Sequence, residues 1–123
     1  DPRSEEAYVN LGAVAMREGK TDEAIAHYRK ALEANPYFTQ AHYNLAVALS
    51  AEKRLEEATG EYEAAIRLDP SLLAARINLG ILYYNTGRRA DARTQFHAVL
   101  EQDPGNAPCG RWGSSYRNSA IAL

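Results

Sequence analysis

The sequence predicts an all-α fold of antiparallel helix pairs arranged in an array, and three observations predict it. Prolines fall at Pro2, Pro36, Pro70 and Pro104, each 34 residues after the last. The same step separates Asn10, Asn44 and Asn78, then Leu11, Leu45 and Leu79, then Ala24, Ala58 and Ala92, and the aromatic column Tyr28, Tyr62 and Phe96. A fixed period of this length marks an array of supersecondary units. Within each period apolar residues recur at helical spacing, and no segment alternates as a strand would.

Each element follows from its own residues. The first helix begins behind Ser4, an N-cap with Glu5 and Glu6 after it, and stops at Gly19. The second opens at Thr21 or Asp22 and closes before Pro36. Its apolar residues Ala24, Ile25, Tyr28, Ala31 and Leu32 share one face. Asn35, Asp69 and Asp103 precede the prolines, and the residue before a proline disfavours helix, so each unit ends there. The second unit repeats the plan over roughly 39–52 and 56–68. Lys53 replaces the turn glycine, and Gly60 weakens the later helix by about 1 kcal/mol relative to alanine. The third unit spans roughly 73–86 and 90–102, with Gly87 between. The organisation is therefore the end of a preceding repeat at 1–4, repeats at 5–38, 39–72 and 73–106, and a tail at 107–123. Pro2 occupies the closing position of that preceding repeat, so the chain is expected to begin inside a longer array. The tail is either a capping helix over the third repeat or a non-native segment.

Composition narrows the function. The 123 residues suit one domain, and 46% hydrophobic with 24% charged residues is the balance of a soluble globular chain. Fourteen Lys and Arg against sixteen Asp and Glu argue against nucleic acid, which requires a basic excess. No apolar run approaches a membrane span. The single cysteine, Cys109, excludes an internal disulfide and leaves the compartment open. No catalytic constellation forms. His27, His42 and His97 lack metal-ligand spacing, and Glu5–Glu6 and Glu56–Glu57 lie at helix starts, where the helix dipole favours acids. No glycine cluster follows a strand to cradle phosphate. No enzyme activity, cofactor or metal is expected.

At these residues the sequence resembles the tetratricopeptide repeat family. The first repeat carries Tyr8, Leu11, Gly12, Ala24, Tyr28, Ala31 and Pro36 of its pattern, with Ala15 departing where the pattern has tyrosine. The second gives His42, Leu45, Ala46, Ala58, Tyr62 and Pro70, and the third Arg76, Leu79, Gly80, Tyr83, Ala92, Phe96 and Pro104. The resemblance implies a right-handed solenoid (the tetratricopeptide superhelix) whose first helices line a concave groove.

In that register Asn10, Asn44 and Asn78 point into the groove. An asparagine amide both donates and accepts, so it can bond an extended peptide backbone without regard to sequence. The resemblance extends to proteins with such ladders, including the superhelical domains of O-linked N-acetylglucosamine transferases. The implied floor continues through Val9, Tyr43 and Ile77, then Ala13, Val47 and Ile81, then Met16, Ser50 and Tyr84, with Gln40 near the mouth and Arg17 as the groove cation. Tyr43 and Tyr84 are candidate anchors. Some family members clamp a chaperone C-terminal carboxylate with cations, but the corresponding residues here are Glu6, Asn10, Asn44, Ala74 and Asn78, so no such clamp is expected. The expected function is a scaffold binding an extended or short helical peptide. The alternatives are a structural or oligomerisation segment stacking end to end through Tyr8 and Leu100, and substrate-selecting repeats of a larger enzyme.

Overall fold

The computed structural model describes residues 4–103. It contains six helices: α1 (Glu5–Arg17), α2 (Thr21–Ala34), α3 (Thr39–Ala51), α4 (Leu55–Leu68), α5 (Leu73–Asn85) and α6 (Arg89–Gln102). No strand occurs among the described residues. The fold class is the one the sequence predicts, an all-α helical repeat. Pro2, Cys109 and the two readings of the 107–123 tail lie outside the described residues.

The chain divides into two compact units, Asp1–Pro70 and Ser71–Leu123. Length alone suggests one core, but a repeat array is quasi-one-dimensional and has no single centre. In the first unit α1 packs on α2 and α3 on α4, while α2 packs on α3 and α1 lies beside α3. The second unit is the pair α5 and α6.

Local signals account for the helix ends. The Ser4 hydroxyl accepts a hydrogen bond from the Ala7 N–H at 3.2 Å, as a cap should. The turn after α1 closes by bonds from Gly19 N–H to the Met16 carbonyl and from Lys20 N–H to the Ala15 carbonyl. That pattern is the Schellman closure, which needs a left-handed residue. Gly19 supplies it at φ 77°, and Lys53 adopts φ 62° at the same place in the second repeat. Lys53 thus keeps the turn despite its Cβ, which costs about 1–2 kcal/mol there. α2 opens at Thr21, one of the two expected starts, and Lys20 before it makes no side-chain capping bond. The same holds for Arg54 and Arg88. Arg54 and Arg88 instead reach an acid three residues on, bonding Glu57 and Asp91 at 2.8–3.0 Å. Arg29 on α2 also bonds Glu57, at 3.1 Å, joining α2 to α4. Hydrogen bonding from Arg54 holds the Glu57 carboxyl below its ordinary range. This link is present at neutral pH and weakens as pH falls through the lowered value. It is exposed and so screened by salt.

The core follows the 34-residue columns. Ala24, Tyr28 and Ala31 of α2, Ala58, Tyr62 and Ala65 of α4, and Ala92, Phe96 and Val99 of α6 are buried. Gly12 and Gly80 lie directly against the rings of Tyr28 and Phe96. The helices of a pair cross closely there because glycine removes the Cβ.

A further periodic pair ties the helices together. His42 on α3 lies between two acceptors, the Glu61 carboxylate at 2.7 Å and the Pro36 carbonyl at 2.8 Å. One period later Arg76 donates to Gln95 at 3.1 Å. His42 is therefore a packing and bridging residue.

The column of Leu11 and Val14 breaks the periodicity in burial. Its later members Leu45, Ala48, Leu79 and Leu82 are buried, whereas Leu11 is 50% and Val14 46% exposed. Tyr8, expected as the exposed aromatic at this end, is only half-exposed. In the first unit α2 packs on α3, where this column is buried, and no described helix plays that part for α1.

Candidate functional site

The candidate residues are placed by helical register on α1, α3 and α5. In the first unit Asn10 is exposed on α1 and Asn44 half-buried on α3, the two helices that lie side by side. Gln40, one turn before Asn44, donates its amide to the Asn44 carbonyl oxygen at 3.0 Å. That bond uses the Asn44 carbonyl oxygen as an acceptor, while its NH2 group carries two further donors. Val47 and Met16 are half-buried, and Arg17 is exposed in the last turn of α1.

The column of Val9 and Tyr43 differs in exposure within this unit. Val9 is only 8% exposed and belongs to the core. At that exposure it offers a ligand little surface. Tyr43, in the same column, extends further and stays half-exposed. Its ring also meets Tyr62 edge-on, with centroids 6.1 Å apart and planes at 62°. Tyr43 is thus braced by the helix pair while keeping part of its face open.

In the second unit Ile77 and Asn78 are half-buried on α5. Ile81 and Tyr84 follow one turn apart and are 43% and 42% exposed. The Arg89 guanidinium lies 5.4 Å from the centre of the Tyr84 ring. Arg88 sits over the buried Tyr83 ring at 4.2 Å. Arg89 is a residue the periodic reading misses, because no arginine stands at its position in the other repeats. The signal was in the charge pattern. Residues 71–90 hold Arg76, Arg88 and Arg89 and no Asp or Glu.

No group of three His, Cys, Asp or Glu among the described residues could hold a metal. No described helix is long and apolar enough to cross a membrane. A shallow, polar depression lined by Gly19, Lys20, Thr21, Asp22, Glu23 and Glu52 contains none of the candidate residues.

The comparisons agree with this architecture. One family model of the tetratricopeptide repeat matches residues 1–38 and 9–72, and a second matches 50–109. Among solved structures, MamA superposes with a TM-score of 0.82 at 27% identity, over 87% of this chain and 63% of that one. The chain therefore spans somewhat under two thirds of the MamA chain. The first repeat domain of Spaghetti (RPAP3), bound to the HSP90 peptide SRMEEVD, gives 0.83 at 25% identity, over 100% of this chain and 97% of that one. YrrB, described as having an unusual peptide-binding site, matches at 0.78 and 23% identity over 85% of this chain and 54% of its own, which shows the fold alone. No curated protein matches the sequence. With the period, the helix pairs and both family models in agreement, the chain belongs to the tetratricopeptide repeat family.

Proposed function

We propose that the chain is a non-enzymatic protein-interaction module that binds an extended or short helical peptide on its first-helix faces. The observation that carries this reading is the asparagine on each first helix, Asn10, Asn44 and Asn78, amid half-exposed apolar residues such as Tyr43, Val47 and Ile77. Amides at a fixed repeat bond backbone N–H and C=O groups, and the apolar residues take alternate side chains. Asn10 and Asn44 act from adjacent helices of the first unit, and Asn78 offers the same grip in the second. The peptide bound by the RPAP3 domain lends the reading support. An acidic chaperone C-terminus is nevertheless not the ligand proposed here. Glu6 and Ala74 stand where the resemblance places clamp lysines, and Asn78 where it places an arginine. The test is a peptide-library screen against the chain and its Asn10→Ala/Asn44→Ala/Asn78→Ala variant. Peptides selected by the chain should lose affinity for the variant, whose helicity and melting should stay unchanged.

A second reading, self-association, is favoured by the exposed pair Leu11 and Val14. In that reading the pair packs on another copy. Light scattering from micromolar to millimolar concentration would show a rising mass that Leu11→Lys abolishes. A constant monomer mass removes the reading.

A further inference from the structure

We infer that the second unit carries a subsite for a hydrophobic side chain followed by a carboxylate, with Ile81 and Tyr84 taking the side chain and Arg89 the acid. This rests on the peptide-binding reading and names the ligand chemistry within it. Three observations support it.

The first is exposure. Ile81 and Tyr84 are large apolar residues one turn apart on α5, both more than two-fifths exposed. The repeat architecture does not require them. Ala13 and Val47 stand at the position of Ile81 in the other repeats, and Met16 and Ser50 at that of Tyr84.

The second is the cation. Arg88 is accounted for by its bond to Asp91 and its place over Tyr83, and Arg76 by its bond to Gln95. Arg89 makes no ion pair among the described residues and lies against the Tyr84 ring. Thr21 and Leu55 occupy its position in the other repeats, so it is not needed to form the turn. A guanidinium beside an aromatic face keeps its fork of donors for a carboxylate while the ring takes an apolar neighbour.

The third is charge complementarity. Residues 71–90 contain three arginines and no acid, a net of +3, whereas the corresponding stretch of the first repeat, 3–22, sets Glu5, Glu6, Glu18 and Asp22 against Arg3, Arg17 and Lys20, a net of −1. An acidic peptide segment finds an excess of opposite charge on the second unit and none in the corresponding stretch of the first repeat.

The test uses the full chain and two fluorescein-labelled dodecapeptides with Gly-Ser flanks. One carries Leu-Phe-Glu-Glu at its centre, the other Leu-Phe-Gln-Gln. Anisotropy should show the acidic probe binding about three- to tenfold more tightly at low salt, with the preference shrinking as salt rises. Arg89→Gln should remove the preference without changing the affinity for the Gln probe. Arg67→Gln, an exposed arginine on α4 of the first unit, should leave the preference intact. Tyr84→Ala should weaken both probes by about tenfold. Equal affinity for the two probes, both lost in Tyr84→Ala, overturns the carboxylate half and leaves the peptide-binding reading standing. A preference that survives Arg89→Gln overturns the role of that residue. Binding of neither probe overturns the subsite, while the library screen still decides the broader reading.

Discussion

Leu49→Ala is expected to lower the stability of the chain by about 2–5 kcal/mol. Leu49 is 1% exposed and is among the largest fully buried side chains of the described residues. It lies on α3, which packs against α1, α2 and α4, so the surrounding helices cannot all collapse onto the vacated space. Domains of this size have roughly 5–15 kcal/mol of stability in total, so this one change removes a large share of it. Urea unfolding should show a lower midpoint with an unchanged slope. The matched control is Leu11→Ala. Leu11 is also a helical leucine but is half-exposed, and its loss should stay within about 0.5 kcal/mol. Equal effects at the two positions would mean that α3 is not the centre of the first unit.

The second large effect is at Gly80. A Cβ built there would meet Phe96 Cε1 at 2.6 Å and Cζ at 2.9 Å, inside contact distance. Phe96 is buried and its ring has little room to withdraw. Gly80→Val should therefore cost about 2–3 kcal/mol through overpacking, more than any gain in helix propensity returns. Ala46 holds the same position in the second repeat, so a single methyl is tolerated by that pair, and valine is the sharper test. Gly60→Ala provides the opposite sign. A Cβ there meets nothing within 4 Å, so the change should stabilise by about 1 kcal/mol. Destabilisation at Gly80 with stabilisation at Gly60 separates contact from backbone entropy, since both substitutions replace a helical glycine.

These predictions show which parts of the molecule the sequence carried. The helix bounds were legible because proline, glycine and the aromatic column recur every 34 residues. Even Lys53 could be read as a turn residue, since its column is glycine in the other repeats. Burial was less legible. Leu11, Leu45 and Leu79 are identical in sequence column, yet only the first is exposed. A column records the geometry of the helix that bears the residue, not which neighbour covers it. Val9 likewise shares its column with Tyr43, yet it is only 8% exposed. The starts of α4 and α6 fall one residue before the expected ones, behind Arg54 and Arg88, which do not cap through a side-chain oxygen. On the candidate site, the asparagines were visible by period, while Gln40 holding Asn44 and Arg89 beside Tyr84 emerge only when side chains have positions.

The central claim is that the asparagines grip a peptide backbone. It is tested most directly by calorimetric titration of one library-selected peptide into the chain and into its Asn10→Ala/Asn44→Ala/Asn78→Ala variant. Each hydrogen bond contributes about 0.5–1.5 kcal/mol, so losing three should weaken binding by about 10- to 2,000-fold. The loss should be nearly independent of peptide side chains, because the contacts are to backbone. An affinity unchanged in a variant that melts like the parent would contradict the account and move the site off α1, α3 and α5.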